Sequence, residues 1–403
     1  MRPRTAAAVA ATTVLGAAAA AVAAGRHACD NALKPSRPLP SDPRLTVHAT
    51  TADEVALTRA LASQRPGTYG LTGRDTHAVV GPVLGGASHS ADTVVRRLVR
   101  VQRGHLRPGS RMRLTPQVYV GDPGEAHGLD HEDVEVPGEL GTLPGWLVPG
   151  GRDTWVVTAH GLGTTREHPM VVMPFLHDRQ FPVLDIAYRG DPGAPRSPDG
   201  VGHLGDTEWR DLDAALRFAV RSGARRVVLY GWSTGATMAL RTAADSALRH
   251  RISGLVLDSP VLDWRTTVRA LAAAHRTPGP LLPLAVRAAQ GRAGLGDAGR
   301  GGPGHGGRAR PGNGGGAGAG ERAALGSGSR SGAWDPAGLS VPTLIVHGPD
   351  DRLAPWDISS RLAEARPDLV SLHVVRHAPH AAMWNADPEG YEEALRRFLT
   401  PLM

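Results

Sequence analysis

The chain has almost no cysteine and almost no lysine. Cys29 is the only thiol in 403 residues, which excludes an intrachain disulfide. No small-residue lipobox precedes it, since Arg26-His27-Ala28 stands there, and it reads as an unremarkable thiol. Lys34 is the only lysine, and with the heavy use of Ala, Gly, Arg and Pro this reads as genome base composition rather than function. Metal motifs are missing too. His127, Asp130, His131 and Asp133 cluster in sequence, but neither H-E-x-x-H nor cysteine ligands accompany them, so a solvated loop is the expectation. The turn His160-Gly161-Leu162-Gly163 matches neither G-x-G-x-x-G nor a Walker pattern, which argues against phosphate cradling there.

What is present suffices for a large core. Hydrophobic residues make up 41%, and the length fits two folded units, or one with an appendage. The net charge of +7 is unevenly placed. Seven arginines against Asp297 and Glu321 fall between Arg287 and Trp334, so much of the basic excess lies in one low-complexity stretch and no nucleic-acid partner is expected. At the N-terminus Arg2 and Arg4 precede an uncharged, alanine-rich run from Thr5 to Gly25, with Ala21-Val22-Ala23 as a cleavage pattern. These are the parts of an export signal. A retained anchor, giving membrane association through residues 5–25, is the alternative, and either way the rest of the chain is expected outside the cytoplasm.

Residues 26–43 are Pro-rich and polar and read as a linker. Short β-type runs then follow: Leu45–Ala49, Thr68–Leu71, His77–Leu84, Thr93–Val101 and Gln117–Val120. They predict a small β-rich accessory region over 44–125. Asp133–Val136 and Trp146–Val148 would open the next domain as a hairpin. From about 150 strands and helices alternate. Strands are predicted over Thr154–Ala159, Val183–Tyr188, Arg226–Gly231, Ile252–Asp258, Thr343–His347 and Leu369–Val375. Helices are predicted over Pro169–Gln180, Trp209–Val220, Thr266–His275, Ile358–Ala365 and Tyr391–Leu399. In Trp209–Val220 the residues Leu212, Ala215, Leu216 and Ala219 fall on one face. This alternation implies βαβ units and a mostly parallel sheet, placing a second domain over 126–403. It is interrupted at about 290–332 by a Gly/Arg-rich segment that cannot bury enough apolar area to offset its ordering entropy. Only Ala270–Ala289 beside it could supply ordered cap helices.

The residues that carry chemistry begin with Gly231-Trp232-Ser233-Thr234-Gly235. The pentapeptide follows an apolar run and precedes a helix-like one, the context of a G-x-S-x-G nucleophile elbow. An activated serine needs a base, an acid to orient the base, and donors for the oxyanion. In such sheets the acid follows the serine and the histidine comes last. Asp351, four residues after His347 in the turn that ends a strand, is the candidate acid, with Asp350 second. His380, followed by Trp384-Asn385 and the last helix, is the candidate base, and His377 reads as a loop histidine. The backbone amides of Leu162 and Thr234 are the candidate oxyanion donors.

With these pieces in order, residues 133–403 resemble the α/β-hydrolase superfamily. They are most similar to its monoacylglycerol-lipase-like and S33 aminopeptidase-like branch, of actinobacterial type. The likeness rests on His160-Gly161-Leu162-Gly163, Tyr188-Arg189-Gly190, Gly231-Trp232-Ser233-Thr234-Gly235, His347-Gly348-Pro349-Asp350-Asp351 and Pro379-His380. Two departures are the proline at 379, where glycine is common, and the Gly/Arg-rich stretch in place of much of a cap. The resemblance implies an eight-stranded, mostly parallel sheet flanked by helices. It also implies acyl transfer from a small-molecule ester or amide through a covalent Ser233 intermediate, with His380 as base, Asp351 as its orienter and no metal or organic cofactor. An ester is the expected substrate. An exported peptidase, amidase or acyltransferase with the same residues, or a non-catalytic binding protein of this fold, are the alternatives.

Overall fold

The computed structural model describes residues 19–35, 38–39, 43–86, 90–292 and 338–403. Most of the Gly/Arg-rich segment and most of the alanine-rich N-terminal stretch lie outside them.

The accessory region is a closed antiparallel barrel of six strands: β1 (Leu45–Thr50), β2 (Glu54–Thr58), β3 (Tyr69–Thr72), β4 (His77–Val83), β5 (Thr93–Arg103) and β6 (Arg111–Thr115). Their order is β1-β2-β5-β4-β3-β6, closed by pairing of Leu45 with Met112. Closure removes the exposed edges that short strands would otherwise leave. Inward residues such as Val47, Leu57, Tyr69, Leu71 and Met112 fill the interior. Two of these strands, β2 and β6, are not among the predicted runs. In β6 the alternation is Arg111 out, Met112 in, Arg113 out, a period-2 pattern with little apolar density. The run Gln117–Val120, predicted as a strand, is irregular. Val118 and the short helix α2 (Pro123–His127) pack on the second domain instead, so the barrel ends ten residues before the predicted boundary.

Arg96 on β5 is fully buried beside the barrel wall. Its guanidinium donates to the carbonyls of Gly81 (2.9 Å), Ser63 (3.1 Å), Arg65 (2.7 Å) and Gly67 (2.7 Å). Burial pushes its pKa down to about 10, with Arg65 adding to the effect, so the group stays charged at neutral pH.

The second domain is an eight-stranded sheet of order β14-β13-β12-β11-β9-β10-β8-β7. The predicted hairpin is β7 (Glu132–Pro137) with β8 (Thr142–Val148), and β8 runs antiparallel to β10 (Val183–Ile186). The remaining strands are parallel: β9 (Thr154–Ala159), β10, β11 (Arg226–Trp232), β12 (Ile252–Asp258), β13 (Thr343–His347) and β14 (Val370–Val374). Helices α4 (Trp209–Arg221), α5 (Thr234–Asp245) and α8 (Trp356–Ala365) cover one face. On α4 the predicted stripe of Leu212, Ala215, Leu216 and Ala219 is buried without exposure. Helices α3 (Met173–Asp178), α9 (Met383–Ala386) and α10 (Pro388–Leu399) cover the other. The predicted helix over Pro169–Gln180 is split into a 3-10 turn, Pro169–Val172, and α3. Pro174 has no N–H for a bond to a carbonyl one turn back, which ends one segment and starts the other.

Residues 19–32 form a helix, α1, that joins the end of the expected export signal, 19–25, to the start of the expected linker, 26–32. Its apolar face, Ala28, Cys29 and Ala32, packs with Leu33 against α6 (Trp264–Ala274) and α7 (Leu282–Arg292) through Val268, Leu271, Ala272 and Ala285. The approach is close enough that a Cβ at Gly25 would lie 2.9 Å from the Leu284 carbonyl oxygen. The three helices make a small roof whose cluster also touches Leu162. Among the described residues no helix is long and apolar enough to cross a membrane.

Replacing Arg96 by methionine leaves four carbonyls around an uncharged side chain. The expected loss of stability is about 3 kcal/mol or more, read from urea or guanidinium unfolding. A loss below about 1 kcal/mol would contradict the structural role given to this guanidinium.

Candidate active site

The parallel strands β9, β11, β12, β13 and β14 end on one side, and every predicted site residue follows one of those carboxyl ends, as is general in open α/β sheets. Ser233 follows β11 with φ 52° and ψ −111°, a strained conformation for a side chain other than glycine. The turn has no room for Cβ atoms beside it. One at Gly231 would lie 2.2 Å from the Gly235 carbonyl carbon, and one at Gly235 would lie 2.0 Å from the Ala159 oxygen. The Ser233 amide donates to the Asp258 carbonyl at 2.8 Å.

Ser233, His380 and Asp351 form one hydrogen-bonded chain. The Ser233 hydroxyl donates to His380 Nε2 at 2.6 Å, and His380 Nδ1 donates to Asp351 Oδ2 at 2.7 Å. Asp350, the second candidate acid, points elsewhere and accepts the His377 amide at 2.7 Å. His377 is accordingly a loop residue. Asp351 has further partners: His347 Nε2 donates to the same Oδ2 at 3.0 Å, and the Leu353 and Ala354 amides donate to Oδ1 at 2.8 and 2.9 Å. Burial alone would raise this carboxyl, but His380 and His347 outweigh it and hold it well below the usual carboxylate range. His347 is itself fixed by the Ser359 hydroxyl, 2.8 Å from Nδ1.

The oxyanion candidates lie beside the serine. A Cβ at Gly161 would be 2.9 Å from Ser233 Cβ, so the loop after β9 packs directly on the nucleophile turn. Thr234 is the first residue of α5, and its amide therefore has no carbonyl one turn earlier to bond. The neighbouring His160 anchors this loop. It bonds Asp191 Oδ2 at 2.7 Å and the Gly161 carbonyl at 2.9 Å, and stacks on Tyr188. Burial disfavours its charged form, but Asp191 reverses the balance and raises its pKa.

Several residues that hold the site were not singled out from the sequence. The Ser259 hydroxyl accepts the Ala381 amide at 3.0 Å. The buried His168, whose pKa is pushed down to about 3 chiefly by burial, lies 3.3 Å from the Thr164 hydroxyl through Nδ1. Asn385, 1% exposed, ties the Ala381 loop to the barrel. Its amide donates to the Thr68 and Pro116 carbonyls at 2.9 and 3.0 Å, while its own carbonyl accepts the Thr68 amide at 2.8 Å. Gly67, at φ 83°, has no space for a Cβ, which would meet the Asn385 oxygen at 1.9 Å. Only the recurrence of small and polar residues around His380 could have hinted at this.

The sequence cluster near 130 does not assemble. His127 Nε2 bonds the Met170 carbonyl at 2.9 Å and packs edge-on to Tyr119. It is half-buried rather than solvated, and burial lowers its pKa to about 4. Among the described residues no group of three potential ligands comes together to hold a metal.

Asn385→Ala removes the two side-chain bonds, to the Thr68 and Pro116 carbonyls, that seat the histidine loop. We expect Ser233 to react with a fluorophosphonate about tenfold or more slowly, with the far-UV spectrum retained. An unchanged rate would contradict the seating role.

Asp258 gives a pH signature. Its carboxyl is pushed up to about 7, chiefly by burial, against weaker opposing effects of Ser259, Tyr391 and His380. The native state therefore keeps a proton that the unfolded chain releases near pH 4, and this group's contribution to stability falls as pH rises from about 4 to 7. Asp258→Asn should gain stability relative to wild type across that window, by an amount on the order of 2–4 kcal/mol. Equal differences at pH 5 and pH 8 in unfolding experiments would contradict the assignment.

Residues 156–394 match the alpha/beta hydrolase family, and residues 46–115, the barrel, match the Domain of unknown function (DUF8805). The chain is 29% identical over 157 residues to the uncharacterized protein YfhR of Escherichia coli O157:H7, covering 37% of this chain and 52% of that protein. It thus spans about half the length of this curated relative. Among solved structures it is similar to the Pyrococcus furiosus esterase Pf2001, with 20% identity, TM-score 0.49, 70% of this chain and 97% of that one. It is also similar to a thermophilic esterase from Thermogutta terrifontis, with 20% identity, TM-score 0.45, 67% of this chain and 99% of that one. The eight-stranded sheet with the Ser233 turn and the family match together establish that the chain belongs to the alpha/beta hydrolase family.

Proposed function

We propose that this protein is a serine hydrolase that cleaves a carboxylic ester by acyl transfer to water. The observation that carries the reading is the unbroken chain from the Ser233 hydroxyl through His380 to Asp351, at 2.6 and 2.7 Å. His380 Nε2 takes the serine proton as the hydroxyl attacks the ester carbonyl, and Asp351 stabilises the imidazolium that results. The carbonyl oxygen, now negative, lies against the amides of Leu162 and Thr234. His380 then returns the proton to the departing alcohol, leaving an acyl-enzyme on Ser233. A water, deprotonated by the same imidazole, releases the acid and regenerates the serine.

Two consequences can be measured on the purified protein. Wild type is expected to be labelled by a fluorophosphonate, and Ser233→Ala and His380→Ala to lose labelling. Turnover of a p-nitrophenyl ester should fall by about four orders of magnitude or more in either variant. Folded wild type that takes no label would overturn the reading and favour a binding protein of this fold.

A further inference from the structure

The catalytic histidine opens onto a cleft of about 1610 Å³ that runs between the two domains. One wall is hydrolase, with Thr164, Pro379, His380 and Arg352. The other is barrel, formed by the β3–β4 turn, the end of β5 and strand β6. The charge of this lining is lopsided. Seven arginines line it against three carboxylates, Asp75, Glu167 and Asp350. Two of the three are already engaged: Glu167 accepts the Gly121 amide and the Gln117 side chain, and Asp350 accepts the His377 amide.

Arg74, Arg103, Arg111, Arg113 and Arg352 are exposed to the cleft. Among the described residues none of the five forms an ion pair with a carboxylate, unlike Arg189 with Asp211, Arg361 with Asp357 and Arg396 with Glu393. Five guanidinium groups without a carboxylate partner therefore line one opening. The barrel arranges it by strand geometry, because Arg111 and Arg113 flank the inward Met112 and so share the outward face of β6. Arg113 also pairs in register with Thr72, next to the turn that carries Arg74. Like charges gathered in a cleft raise the local potential and favour an anion there. The planar guanidinium fork matches a phosphate in particular.

We propose that this cleft is a phosphate-binding substrate subsite, and that the ester cleaved at Ser233 carries a phosphate group held by the barrel arginines and Arg352. The proposal rests on the ester-hydrolase reading. It gives the barrel a role in recognition, with the phosphate anchored on one domain while the acyl carbon meets the serine of the other. No new chemistry is required: the bond broken is the carboxylic ester, the acyl group goes to Ser233 and then to water, and the phosphate stays on the released alcohol.

The test measures binding separately from turnover. The full-length Ser233→Ala protein is titrated calorimetrically at low ionic strength with 1-butyrylglycerol 3-phosphate and with uncharged 1-butyrylglycerol. A second pair, 1-palmitoylglycerol 3-phosphate and 1-palmitoylglycerol in neutral detergent micelles, distinguishes a lipid headgroup from a soluble phosphate ester. We expect the phosphate-bearing member to bind at least about tenfold more tightly in one pair or both, with the preference shrinking in high salt. In Arg74→Ala/Arg111→Ala/Arg113→Ala, and separately in Arg352→Ala, the ratio should fall at least about fivefold while the circular dichroism is retained. Equal binding within both pairs would overturn the proposal. So would a preference that survives in both variants. Neither result bears on the fluorophosphonate labelling of wild type, by which the hydrolase reading stands or falls.

Discussion

In the proposed reaction His380 takes a proton from Ser233, so its imidazole must be held to within a fraction of an ångström, and it stands on a loop between β14 and α9. Everything around that loop acts to seat it. Ser259, which follows β12, holds the Ala381 amide. Ala382 enters the barrel core, and Asn385 exchanges three hydrogen bonds with the barrel segments at Thr68 and Pro116. The barrel in turn is braced by Arg96, which binds the carbonyls of Ser63, Arg65 and Gly67 just before Thr68. Hydrogen bonds and short backbone segments therefore connect Arg96 in the barrel, through Gly67, Thr68 and Asn385, to the loop that carries His380. Buried polar networks of this kind specify position when every member is satisfied.

The carboxyl groups at the strand ends show how partners decide charge in a common environment. Asp258 and Asp351 are both buried, the first at the end of β12 and the second in the turn after the adjacent β13. Asp351 accepts two imidazole and two amide bonds and remains ionised. Asp258 has a hydroxyl partner in Ser259 and is driven toward its neutral form. Opposite charge and hydrogen bonding outweigh desolvation at the first site and fail to at the second. The result is a single buried carboxylate next to His380, the arrangement that the imidazolium of the proposed reaction requires.

Much of the second domain was legible in the sequence because its signals are local. The Gly231–Gly235 pentapeptide carries its own strand, turn and helix, and the buried stripe of α4 repeats at helical spacing within one element. The choice of Asp351 over its neighbour rested on its place four residues after His347, and in the structure Asp350 instead accepts the His377 amide. The contacts that could not be read join distant segments. Asn385 meets Thr68 and Pro116 across some three hundred residues, and nothing in either stretch marks the other. Strand β6 was missed because Arg-Met-Arg shows one apolar residue where a strand detector wants several. Helix α1 spans the expected export signal and linker because its alanines and single cysteine are too small to announce a buried face, while Gly25 lets α7 approach closely.

The central claim is that Ser233, His380 and the two amides form one site around a single reacting carbon. The most direct test is the crystal structure of the phosphonylated protein. The account predicts phosphorus bonded to Ser233 Oγ, with one phosphoryl oxygen about 2.7–3.1 Å from the amides of both Leu162 and Thr234. Phosphorus on another side chain, or an oxygen directed into solvent away from those amides, would contradict it.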